Sequence, residues 1–110
     1  MAYDEELADR IRELISTEPG LTEKKMFGGL AFLLDGRMSV AVSREGGLLI
    51  RVNPADQAAL LLRPHTSPFV MQGRPATGWM RVDAAALEDD VELSMWVSHG
   101  VNYAQEQPPK

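Results

Sequence analysis

Residues 30–53 read LAFLLDGRMSVAVSREGGLLIRVN, and two turn signals cut this stretch into three apolar runs. Asp35-Gly36 supplies two residues that tolerate positive φ, which a two-residue hairpin turn needs if its twist is to match the strands on either side. Glu45-Gly46-Gly47 provides the second break. After Asp35-Gly36 the chain alternates, with Met38, Val40 and Val42 expected on one face and Arg37, Ser39, Ala41 and Ser43 on the other. After Gly47 it alternates again, with Leu48, Ile50 and Val52 inward and Leu49, Arg51 and Asn53 outward. Three successive antiparallel strands are therefore expected, and hairpins of this kind organise an α+β domain rather than a parallel, alternating one.

Helices are expected around this ribbon. Leu7, Ile11, Leu14 and Ile15 recur at helical spacing, which predicts a helix over about residues 4–16 that Pro19-Gly20 ends. Asn53-Pro54 reads as an N-cap followed by proline at the first helical position, so PADQAALLLR is expected to be a short helix closed by Pro64. In SPFVMQGRPATGWMRVD, β-branched and aromatic residues flank the turn-prone GRPATG, which predicts strands near 68–72 and 78–82. Asp89 with Glu92 three residues on resembles a capping box, and Leu93, Trp96, Val97, Gly100, Val101 and Ala104 form the stripe of a long last helix. The predicted order is helix, three strands, helix, two strands, helix, with a mostly antiparallel sheet covered by helices.

A chain of 110 residues suits one core, so residues 1–110 are expected to form a single domain. No apolar run approaches the roughly 18 residues of a membrane span, and the acidic, amphipathic start lacks the basic and apolar regions of a secretory signal. With no cysteine there is no disulfide, thiolate nucleophile or sulfur ligand. A soluble, cytoplasmic protein that contacts no membrane is the expectation.

Gly28-Gly29 beside Lys24 and Lys25 raises the possibility of a phosphate cradle. Such a cradle needs its glycines between a strand and a helix N-terminus, where free N–H groups and the helix dipole meet the anion. Here a strand is expected to follow, so the glycines are read as allowing a bulge, a bend or close packing. His65 and His99 are the only histidines and lie in no ligand pattern, and Glu88, Asp89, Asp90 and Glu92 read as a solvated helix start, so no metal and no cofactor is expected. No nucleophile elbow is present, and the paired carboxylates fall on predicted helix surfaces, so no catalytic residue is assigned and an enzyme is not expected.

Charge is unevenly spread. From Lys24 to Val82 there are eight basic and three acidic residues, while the whole chain carries a net charge of -5, so the flanks are strongly acidic. Acidic ends packing beside a basic middle is the favoured reading. Arg37, Arg51 and Arg81, all outward on the predicted strands, are expected to share a sheet face with Lys24 and Lys25 nearby, the best candidate for contact with phosphate or an acidic protein surface. Aromatics are not interleaved with these cations as base stacking would need.

The stretches KKMFGGLAFLLDGRMSVAV, GGLLIRVN and WMRVDAAALEDDVELSMWVSHGVNYA resemble, in order, the N-terminal domain of the TfoX/Sxy family. Met26, Phe27, Gly28, Gly29 and Gly36 match its signature, and Trp96 matches the tryptophan of its final helix. The resemblance implies a secretion-chaperone-like α+β fold and an association with competence regulation, through cooperation with a cyclic-AMP receptor regulator. Full-length competence regulators of the family carry a second, C-terminal domain that is not found between residue 1 and Lys110. The leading expectation is a non-enzymatic regulatory or protein-binding module, forming a homodimer and meeting a partner such as a transcription regulator. The competing readings are nucleic-acid binding through the basic face and a small-molecule site or enzyme near Met26 to Gly29.

Overall fold

The computed structural model describes residues 3–26 and 28–107. The elements in order are α1 (Glu5–Ile15), β1 (Leu21–Met26), β2 (Gly29–Leu34), β3 (Arg37–Val42), β4 (Leu48–Arg51), α2 (Pro54–Leu60), β5 (Thr66–Met71), β6 (Arg74–Val82), a 3-10 turn (Ala84–Glu88) and α3 (Asp90–Glu106). All six strands form one antiparallel sheet in the order β1-β2-β3-β4-β6-β5. The α+β class and hairpin order expected from the sequence hold, with one strand added.

That strand is β1. LTEKKM carries no apolar alternation because it is an edge strand whose residues Thr22–Lys25 are all exposed. Burial writes the period-two pattern, and a strand with little burial leaves little trace. Met26 lies opposite Gly29, the first residue of β2. Gly28 has φ +78°, which only glycine adopts freely.

Asp35 and Gly36 both take positive φ, 53° and 81°, as the β2–β3 hairpin requires. The β5–β6 hairpin uses the same device at Gln72-Gly73, with φ of 53° and 80°. This corrects the expected loop GRPATG: the turn comes earlier, and β6 begins at Arg74 and runs through Pro75 and Gly78. Proline is tolerated because β6 pairs with β4 only from Trp79 to Val82. Nearer its start, α2 takes over on that side. The Gln57 side chain accepts from the Gly78 N–H (2.8 Å) and donates to the Trp79 carbonyl (2.9 Å).

One face of the sheet carries Leu30, Phe32, Val40, Val42, Leu48, Ile50, Val52, Met80 and Val82, all buried under the helices. From α3 come the six residues of the expected stripe, every one buried. Trp96 is fully enclosed, and burying such a side chain contributes on the order of 2–3 kcal/mol. From α1 come Leu7, Ala8, Ile11 and Ile15, whereas Leu14, expected inward, is 43% exposed because the short α1 buries a narrower stripe. Asp4, Asn53 and Asp89 each cap a helix with a side-chain oxygen. The capping box at Asp89 is half formed. Asp89 accepts from the Val91 and Glu92 N–H groups, but Glu92 turns away to accept from Trp96 Nε1 (3.1 Å) and Arg63 (2.8 Å).

The facing of β3 departs from simple alternation. Phe32 lies opposite Val40 but Leu33 lies opposite Met38, so Ser39 is an extra, bulged residue. Its buried hydroxyl donates to the Phe32 carbonyl (2.9 Å), and the bulge moves Met38 onto the face of Ala41, away from Val40 and Val42.

Candidate functional site

Among the described residues no helix lies over the second face of the sheet, and the register shows what that face presents. Thr22, Lys24 and Met26 of β1 lie across from Leu33, Ala31 and Gly29 of β2. Ala41 pairs with Leu49, Leu49 with Arg81 and Arg51 with Trp79. These positions form a trough whose floor is apolar.

Small residues set its depth. Ala31 and Ala41 sit opposite one another in the centre, and the longer side chains of Met26, Met38, Leu49, Phe69 and Trp79 rise around them. The resulting hollow holds about 250 Å³. Arg81 stands at its edge, donating to Ser43 Oγ (3.3 Å) and the Gly46 carbonyl (3.1 Å).

A second hollow of about 620 Å³ adjoins the first and shares Met26, Met38 and Trp79 with it. It opens where the sheet parts: pairing between β3 and β4 stops at Val40 and Ile50, so Arg37–Ser39 have no neighbour on β4. Arg51 and Tyr103 reach into this gap. The Arg51 guanidinium carbon lies 4.8 Å from the centroid of the Trp79 ring and 5.3 Å from that of Tyr103. Both spacings suit cation–π attraction.

The structure divides the basic set expected on one face. Lys24, Arg51 and Arg81 do lie on the open face. Lys25 does not, because alternation along β1 turns it to the helix side, near Tyr3 and Glu5. Arg37 does not either. It pairs with Leu34 across the hairpin, and its guanidinium is drawn to the C-terminal carbonyls of α3, donating to Gln105 (3.4 Å) and Gln107 as well as to the Leu34 carbonyl (2.9 Å). Free carbonyls at the negative end of a helix dipole are a natural seat for a guanidinium. Arg63–Glu92 (2.8 Å) joins the basic middle to the acidic C-terminal flank, whereas Arg10–Asp90 (2.7 Å) joins the two flanks to each other.

The signature residues fall in separate places. Met26 lines the trough, while Gly28 and Gly29 shape the turn into β2. A Cβ on Gly29 would strike the Val42 carbonyl, and one on Gly28 would press the Arg44 side chain. β2, not a helix, begins at Gly29. Gly36 completes the next hairpin, Trp96 belongs to the core on the far side, and Phe27 lies outside the described residues. Sequence patterning places Trp79 only in a strand, where a core anchor is expected, and gives Tyr103 no role. The signal for Trp79 was its register, since it alternates with the core residue Met80.

The displaced pKa values belong to a pair away from the trough. Arg12 of α1 grips Glu23 of β1 through two hydrogen bonds (2.7 and 2.8 Å) and also holds Asp9. The hydrogen bonds from Arg12 lower the Glu23 carboxyl below its ordinary range, and those to Glu23 and Asp9 raise the Arg12 guanidinium. Among the described residues no group of three or more His, Cys, Asp or Glu is placed to hold a metal ion, and no helix is long and apolar enough to cross a membrane.

Comparison with curated proteins and with solved structures gives no match. The family model described as the TfoX N-terminal domain matches residues 13–104, from the last turns of α1 to the last turn of α3, and so spans the hairpins, the trough and the Trp96 helix. The chain thus belongs to the TfoX N-terminal domain family.

Proposed function

We propose that this domain is a non-enzymatic regulatory module that binds a protein partner on the open face of its sheet. The single observation that supports this most is the one-sided cover of the sheet. Helices bury the core residues of one face, while the other offers Met26, Met38, Leu49, Phe69 and Trp79 half-exposed around a shallow hollow. A contiguous apolar patch with a polar rim is characteristic of an interaction surface.

Charge selects the occupant. Lys24, Arg37, Arg44, Arg51 and Arg81 border or enter the two hollows, against one acidic neighbour among the described residues, Glu45. A partner segment carrying apolar side chains flanked by carboxylates complements this rim. A second copy fits this face poorly, because isologous pairing would oppose the same cations, so a homodimer would use another surface. Phosphate tracking by nucleic acid is also less well served, since Lys25 leaves the face and the Arg37 and Arg81 guanidinium groups are already engaged, with carbonyls of β2 and α3 and with Ser43 and Gly46. The family association with competence makes a transcription regulator the partner class to test first.

The test places a photo-crosslinking residue at Leu49 on the trough and, as control, at Ser98 on the exposed side of α3. The expected result is one adduct from position 49, lost in Trp79→Ala and mapping to an acidic, apolar segment of the partner. Equal labelling from both positions would remove the proposal.

A further inference from the structure

The geometry at Arg51 points to a further site: we propose that the hollow between β3, β4 and the end of α3 binds a small amphipathic monocarboxylate, its carboxylate on the Arg51 guanidinium and its apolar body along Met26, Met38 and Trp79. Arg51 is half-buried, yet none of its donors has a protein acceptor among the described residues. Its Nε is sealed from water without a hydrogen bond. By contrast, Arg10, Arg12, Arg37, Arg63 and Arg81 each donate to at least one oxygen. A buried donor on a charged group is costly to leave unpaired, and two ring faces stabilise the cation without satisfying its N–H groups.

An anion from outside can meet the terminal N–H groups of Arg51, which have no acceptor among the described residues and, unlike Nε, are not sealed from solvent. Trp79 and Tyr103 fix the plane of the guanidinium, so little rotamer freedom remains to be lost when its fork meets two oxygens. Among the described residues no aspartate or glutamate lines this hollow, and Lys24, exposed, and Arg37, engaged with carbonyls, are the further cations beside it. The remaining wall is mixed: Leu33, Met26, Met38 and Ala104 are apolar, while Gln107 and Arg37, the latter already bonded to the Leu34 and Gln107 carbonyls, are polar. A phosphate would leave Met26, Met38 and Trp79 uncovered, whereas a singly charged head with a hydrocarbon tail matches both the cation and the apolar part of the wall. The volume, about 620 Å³, falls in the usual range of small-ligand sites. This site requires no protein partner, so its success or failure is separable from the partner proposal.

Octanoate is the probe, read by two-dimensional NMR of the intact chain through the Trp79 indole N–H and the Arg51 Nε–H. The expected result is saturable movement of both resonances, with 1-octanol and inorganic phosphate each binding at least about tenfold more weakly, the loss of one charge-assisted hydrogen bond. Arg51→Met should weaken octanoate by a similar factor. Arg51→Lys keeps the charge but loses the fork, and is expected to weaken it several-fold, which provides a test should Arg51→Met fail to fold. Octanol binding as well as octanoate, phosphate competing equally, or Arg51→Lys binding like wild type would each overturn the proposal.

Discussion

Gly100 of α3 lies directly against the backbone of Ser39 in β3: a Cβ at position 100 would come within 2.5 Å of the Ser39 carbonyl oxygen and 2.7 Å of Val40 Cγ1. The helix comes against the sheet backbone at the bulged residue, so the bulge and the glycine form one packing device. Alanine normally favours a helix over glycine by up to about 1 kcal/mol. Here overpacking dominates, and Gly100→Ala is expected to lower stability by about 1–3 kcal/mol, measured as a fall in urea midpoint at unchanged slope.

Gly29 tests the role of the double glycine. Its neighbour is the Val42 carbonyl on β3, with no room for a methyl group. Gly29→Ala is expected to destabilise the domain by about 1–3 kcal/mol through the same kind of clash. Octanoate affinity, measured by NMR on the folded fraction, should stay within about twofold of wild type, because Gly29 does not line the Arg51 hollow.

The two tryptophans separate stability from binding. Trp96 is fully enclosed beneath α3, and Trp96→Ala should cost about 3–5 kcal/mol, enough to leave a large unfolded fraction. Trp79 is half-exposed on the open face, so Trp79→Ala should cost less than half of that by thermal unfolding. It should nevertheless abolish the crosslink from position 49.

The Arg12–Glu23 pair joins α1 to the edge strand β1. Glu23 titrates lower in the folded chain than in the unfolded one, so its contribution is present above the unfolded carboxyl range and fades as pH falls through the lowered folded value. Both side chains are more than one third exposed, at 38% and 34%, so the pair is worth only about 0.2–1 kcal/mol after solvent screening. A double-mutant cycle with Arg12→Met and Glu23→Gln should give a coupling of that size at pH 7, shrinking at pH 3 and in high salt.

Local chemistry and periodic burial made most of the fold legible. Asp35-Gly36 specified its hairpin because two positive-φ residues suffice for that turn, and the α3 stripe from Leu93 to Ala104 was readable because every member is buried on one face. Leu48, Ile50 and Val52 alternated for the same reason. β1 escaped notice because its exposed residues are free to be polar. Part of the site was hidden by a different cause: facing on β3 depends on the Ser39 bulge, and one extra residue reverses which side chains meet the core.

The sequence by itself determined the antiparallel hairpins, the capped helices and the family, since turn chemistry, capping and hydrophobic period act over a few residues. Tertiary structure alone decided that Arg51 would be framed by Trp79 and Tyr103 while Arg37 left to cap α3. Tyr103 lies far along the chain from Arg51, and only the crossing of α3 over β3 and β4 brings the two together.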